Sequence, residues 1–114
     1  MKLYYSLQAR TDLREIRDYI SEILQNPTAA KNVTSKILKS AGLLGEQPRL
    51  GFSVADKTGR ETDVLCMFSG NYGVFYKITP KGILVVRILD ARTDYMRYVF
   101  AEEKEPEANL RTKE

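Results

Sequence analysis

The spacing of the apolar residues changes once along this chain, and that change limits the folds open to it. In the first part the period is helical. Leu13, Ile16, Ile20, Ile23 and Leu24 recur at helical spacing and make one apolar face. Asp12 reads as the N-cap, with Glu15 three positions later completing a capping box. Asn26-Pro27 then stops this helix and starts another, Asn26 as cap and Pro27 at the first helical position. Ala30, Val33, Ile37, Ala41 and Leu44 form the stripe of the second helix, which ends near Gly45. A join this short predicts an antiparallel helix hairpin.

From Val64 onward the pattern is that of strands. Val64 to Phe68, Tyr72 to Ile78 and Ile83 to Leu89 are separated by the turn-like Ser69-Gly70-Asn71 and Thr79-Pro80-Lys81-Gly82. A three-stranded antiparallel meander is the simple reading. Tyr72, Val74, Tyr76 and Ile78 alternate with Gly73, Phe75 and Lys77, whereas Ile83 to Val86 is apolar throughout, as in a central strand. Leu3 to Leu7 reads as a short first strand. Gln47 to Arg60, with Pro48, Gly51 and Gly59, reads as a loop. The fold class is α+β: an N-terminal strand, a helix hairpin, then an antiparallel sheet. Helices on one face would leave the other face and its rim open to a partner.

At 114 residues the chain is expected to form one domain with a single core. The expected boundaries are a folded body over 1–100 and a charged tail over 101–114. The tail sets Lys104, Arg111 and Lys113 against Glu102, Glu103, Glu105, Glu107 and Glu114, a net −2, so the body carries +5 of the chain's +3 total. A mildly basic body suits a polyanionic or acidic partner. There is no histidine, which removes the usual neutral-pH proton shuttle and the common histidine metal sites. No metal and no cofactor are expected. Cys66 is the single cysteine, in the apolar run VLCMF, and reads as a small core residue. No apolar run has the length of a membrane span, and MKLYYSLQAR has no signal-peptide core, so the expected location is cytoplasmic.

Residues 84–100, LVVRILDARTDYMRYVF, carry the candidate functional groups. An apolar strand there hands over to Arg87, Arg92, Tyr95, Arg97 and Tyr98 instead of a bland turn. Cations mixed with phenols suit gripping phosphates, stacking on bases or seating on a partner's surface. Lys77 and Arg60 add nearby cations. Each has a plainer reading beside the functional one. Arg92 is also placed as a surface ion-pair partner of Asp90 or Asp94. Tyr98 falls in a period-two packing set with Met96 and Phe100. Arg87 alternates with Val86 and Ile88 and would point away from the helices, under a partner. Tyr72 and Tyr76 read as sheet-face residues, and Lys31, Lys36 and Lys39 as the solvated side of the second helix.

ARTDLREIRDYI at Ala9 to Ile20, NPTAAKNV at Asn26 to Val33, QPRLG at Gln47 to Gly51, GNYGVFYKI at Gly70 to Ile78 and VVRILDARTDYMRYVF at Val85 to Phe100 follow one another in a familiar order. This order resembles the RelE/ParE superfamily of bacterial type II toxins. The resemblance implies a helix hairpin packed on a curved antiparallel sheet. It implies a cognate antitoxin as partner, bound as a hetero-oligomer through an acidic, partly disordered segment. It also implies a target: DNA gyrase for ParE-like members, ribosome-bound messenger RNA for RelE-like members. The N-terminal half looks more like the ParE side. An RNA-cutting member would use Arg92 for phosphate stabilisation and Tyr98 as acid or stacking group, helped by Arg87, Arg97 and Lys77. Two departures thin that cationic cluster. Val64 to Phe68 contains no cation before the segment matching GNY, and Ala91-Arg92-Thr93 keeps one cation where a basic pair is common. The expected function is therefore a type II toxin acting by gyrase inhibition. The alternatives are an mRNA endonuclease and a degenerate toxin that only binds antitoxin or DNA.

Overall fold

Ser6 ends the first strand and starts the first helix. Its hydroxyl accepts from the Ala9 N–H at 3.0 Å and donates to the Val86 carbonyl at 2.9 Å. One side chain thus caps the helix and ties it to the sheet. The computed structural model describes residues 1–92. In it β1 is Leu3–Tyr5 and α1 is Leu7–Asp18. The expected capping box at Asp12 and Glu15 is therefore displaced. Asp12 lies inside α1 and is buried, because Ser6 opens the helix more than a turn earlier.

A π-helical turn, Tyr19–Ile23, follows α1 and is closed by the Leu24 N–H on the Tyr19 carbonyl at 3.1 Å. It breaks the helical phase, so Ile23 and Leu24 leave the apolar face expected of them and stand in solvent. The second helix, α2, is Pro27–Gly42, and it starts as the sequence predicts: the Asn26 side-chain oxygen accepts from the Ala29 N–H at 3.0 Å. Its stripe of Ala30, Ile37, Ala41 and Leu44 is buried. A 3₁₀ turn, Leu43–Gly45, completes it. The segment expected as loop contains β2, Phe52–Ser53, and α3, Val54–Thr58. Both are too short for any apolar period to announce them.

The remaining strands are β3 Leu65–Ser69, β4 Tyr72–Thr79 and β5 Gly82–Asp90, each end within one residue of the sequence reading. They form one five-stranded sheet in the order β1-β5-β4-β3-β2. The chain therefore has the expected α+β fold, with one refinement. β1 lies parallel to β5 while the other pairs are antiparallel, so the sheet is mixed. With β1 on one side and β4 on the other, β5 is internal, which is why Ile83 to Val86 is apolar throughout.

Two apolar clusters sandwich the sheet. On the helix side Ala9, Ile37, Ala41 and Leu44 meet Val74, Tyr76, Val85 and Ile88. A second, smaller cluster joins Val54, Val64, Cys66, Phe75 and Val86. The face expected to be open is thus covered in part by the chain itself, through the segment around α3. Cys66 sits in that cluster, and burial pushes its thiol up to about 12.

Candidate functional site

Among the described residues, the sequence-predicted cations Arg60, Lys77, Arg87 and Arg92 do not converge. Along β5, Val85 pairs with Tyr76 and Arg87 with Phe75, so Val86 is the extra residue of a bulge. Arg87 stays opposite Phe75 of the second cluster, and its guanidinium reaches past the end of β1 to Asp12. Its side chain is 8% exposed and turns to α1. The guanidinium Nε donates to Asp12 Oδ2 at 2.8 Å and Nη2 to Oδ1 at 2.9 Å, while the Ile88 N–H donates to Oδ2 at 3.0 Å. Arg87 therefore clamps α1 to the sheet, with Asp12, 5% exposed, as its counter-ion.

Arg92 follows β5 and stands in solvent. It grips Asp90 through Nε at 3.1 Å, Nη2 at 2.9 Å and its backbone N–H at 2.8 Å. Asp90 pairs in register with Tyr72 at the start of β4. Tyr19, at the head of the π turn, lies within electrostatic reach of both Tyr72 and Arg92. This end of the molecule thus gathers two phenols around an Arg–Asp pair. The sequence reading singled out Arg92 and treated Tyr72 as a face residue; Tyr19 it missed. Burial first, then the Asp90 carboxylate, pushes the Tyr72 phenol up. The hydrogen bonds from Arg92 hold the Asp90 carboxyl below its ordinary value.

A depressed carboxylate stabilises the fold above its unfolded-state pKa and loses that contribution as pH falls through the lower folded value. Arg92→Ala should therefore return Asp90 toward the ordinary carboxylate range in an NMR titration of its carboxyl carbon. An unchanged Asp90 midpoint would deny the pair in solution.

Lys77 lies five residues along β4 from Tyr72, about 17 Å away at strand rise. Its ammonium is 3.7 Å from Asp63. Arg60 is exposed just after α3, its backbone N–H donating to the Thr58 hydroxyl at 3.2 Å. Tyr95, Arg97 and Tyr98 lie outside the described residues, as does the tail.

A second surface was missed because α1 was started too late. Arg10, Arg14 and Arg17 fall on one face of α1, where spacings of four and three bring side chains together. With Tyr4, Leu13 and Leu38 they line a groove of about 560 Å³ between β1, α1 and α2. None of the lining residues is acidic. Arg10 donates through Nε and Nη2 to the Tyr5 carbonyl at 3.3 and 3.2 Å, covering part of the β1 edge.

The family model for the ParE toxin of the type II toxin–antitoxin system parDE matches residues 3–95. The chain belongs to the ParE toxin family. Among solved structures, one described as the chromosomal ParDE TA system from P. aeruginosa superposes with a TM-score of 0.69. It is 19% identical, and the match covers 81% of this chain and 97% of that one. That likeness is one of fold. The comparison with curated proteins gives no match. The matched segment contains every element described above and both surfaces, so the ParE fold is what positions them. Among the described residues, no helix of this ParE-family toxin is long and apolar enough to cross a membrane.

Proposed function

We propose that this ParE-family toxin arrests growth by inhibiting DNA gyrase and is held in check by a cognate antitoxin. The state of Arg92 carries the choice of target. Metal-free RNA cleavage needs a cation aimed at the phosphorane. Here the guanidinium best placed by sequence is doubly hydrogen-bonded to Asp90. Arg87 is committed to Asp12, and Lys77 lies far along β4 beside Asp63. Gyrase inhibition requires a binding surface and no catalytic constellation, so the observed arrangement is compatible with it.

The arginine-lined groove supports the antitoxin as partner. Arg10 and Arg14 over an apolar floor, with Arg17 beside them paired to Asp18, suit an acidic, amphipathic segment that orders on contact. This site replaces the sheet face favoured by sequence, which the chain's own second cluster occupies in part.

Induced expression in growing cells, with and without the antitoxin gene, tests the reading. The expected result is intact messenger RNA, a DNA-damage response and altered plasmid supercoiling within minutes, all abolished by the antitoxin. Early codon-phased cuts in translated messages would instead establish the endonuclease reading. Normal growth throughout would leave a degenerate toxin that only binds its partner.

A further inference from the structure

The large apolar side chains that reach solvent are not evenly scattered. Three of them crowd the π turn: Tyr19 at 54% exposure, Ile23 at 67% and Leu24 at 56%. Isolated exposed aliphatics need no explanation, but a cluster on one turn does. The turn is firmly held. Ile20 is buried beneath it, the Asn26 N–H bonds the Ile20 carbonyl at 3.1 Å, and Asn26 caps α2. Gln25 takes φ +53°, a left-handed conformation costly for a residue other than glycine. The backbone thus presents Ile23 and Leu24 outward at the expense of local comfort. π turns of this kind are frequent at functional sites. Tyr19 lies within electrostatic reach of Tyr72 and of Arg92, which pairs with Asp90.

Charge decides the kind of partner. Among the described residues of the turn, 17–26, and of the adjoining sheet end, 70–72 and 90–92, Asp18 is paired with Arg17 at 3.1 Å and Asp90 with Arg92 at 2.9 Å, which leaves the exposed Glu22 as the surplus charge. The region is net −1 in a chain that is net +3. Nucleic-acid sites gather cations free to neutralise phosphates, and here both arginines are held by aspartates. A phosphate would also have to displace Asp90 from Arg92. Exposed aliphatics beside amphipathic tyrosines match the centre of a protein interface, with paired charges at its rim.

We propose that the π turn and the adjoining sheet end are the surface by which the toxin grips its target, and that this surface takes a folded protein with an apolar recess and a basic rim. The inference rests on the gyrase reading and gives that target its contact residues: Tyr19, Ile23, Leu24 and Tyr72. The four contact residues are distinct from those lining the arginine groove, which the surface adjoins through the Arg17–Asp18 pair.

Binding of the purified full chain to purified DNA gyrase, by biolayer interferometry, tests it. Ile23→Asp is the main variant, because Ile23 is solvent-exposed and its replacement leaves the core intact. Tyr19→Ala is the second, and antitoxin binding reports that each variant is folded. The expected result is a loss of gyrase affinity of about tenfold or more in both variants, with antitoxin affinity unchanged. Gyrase affinity within about twofold of wild type in both overturns the inference and leaves the gyrase reading standing. No gyrase binding by wild type fails that reading and the inference with it. Competition for the turn by an RNA oligonucleotide, or self-association abolished by Ile23→Asp, also overturns it.

Discussion

Arg87→Ala is expected to lower the unfolding free energy by about 3–5 kcal/mol, the usual consequence of leaving one member of a buried ion pair behind. The loss is concentrated on Asp12. Its carboxylate would keep the Ile88 N–H but lose both guanidinium contacts while remaining buried in α1. Asp12→Ala is expected to be at least as costly, because it takes two charge-assisted hydrogen bonds from the guanidinium and also removes the acceptor of the Ile88 N–H. Urea unfolding by circular dichroism measures both. Replacing the pair together, Asp12→Leu with Arg87→Met, should recover part of the loss, since no unpaired charge is then buried. A single Arg87→Ala within about 1 kcal/mol of wild type would mean that the pair is open to water in solution. The functional link is geometric. The clamp fixes α1 against β5, and so fixes the π turn relative to Arg92.

Gly51→Ala is the second large effect. A Cβ built at Gly51 would fall 2.5 Å from the Cys66 carbonyl oxygen and 2.8 Å from the Tyr76 hydroxyl. Neither neighbour yields readily. The first is backbone of β3, and the second is the end of a fully buried ring on β4. Tyr76 needs this close approach, because its hydroxyl accepts from the Gly51 N–H at 2.9 Å and donates to the Pro48 carbonyl at 2.7 Å. Those two bonds satisfy the polar atom of an otherwise core side chain and pin the 48–51 segment to the sheet. The clash should cost about 1–3 kcal/mol. Disturbing the hydrogen bonds should add a further ~1 kcal/mol or more. Thermal unfolding of Gly51→Ala, Tyr76→Phe and the double variant provides the check. The singles should not add, since both act through one hydroxyl. A Gly51→Ala midpoint equal to wild type would refute the close approach.

Both predictions concern residues whose partners are distant in sequence, and that is where sequence reading stopped. The α2 helix was legible down to its cap because Asn26-Pro27 and a four-residue apolar rhythm are local signals. The three long strands were legible for the same reason. The start of α1 was misplaced because two capping candidates compete. Asp12 with Glu15 has the better local pattern, but Ser6 also reaches the Val86 carbonyl on β5, a contact no local rule contains. Arg92 was recognised as a candidate and its pairing with Asp90 was one of the two readings on offer, since the partners are two residues apart. Tyr19 was not recognised, because its place beside Tyr72 depends on how the hairpin lies on the sheet.

By itself the sequence determined the elements with a period, the hairpin between them, the internal place of the apolar strand and the resemblance to the family. These depend on neighbours within a few positions, and their side-chain pattern is written in order along the chain. The tertiary structure alone decided that Arg87 is a clamp and not a contact residue, because its partner Asp12 lies 75 positions away on α1. It alone decided that Ile23 and Leu24 face solvent, because one π turn shifts the helical phase that would have buried them. A one-residue change of phase is invisible to a periodic pattern, yet it determines which side chains a partner meets.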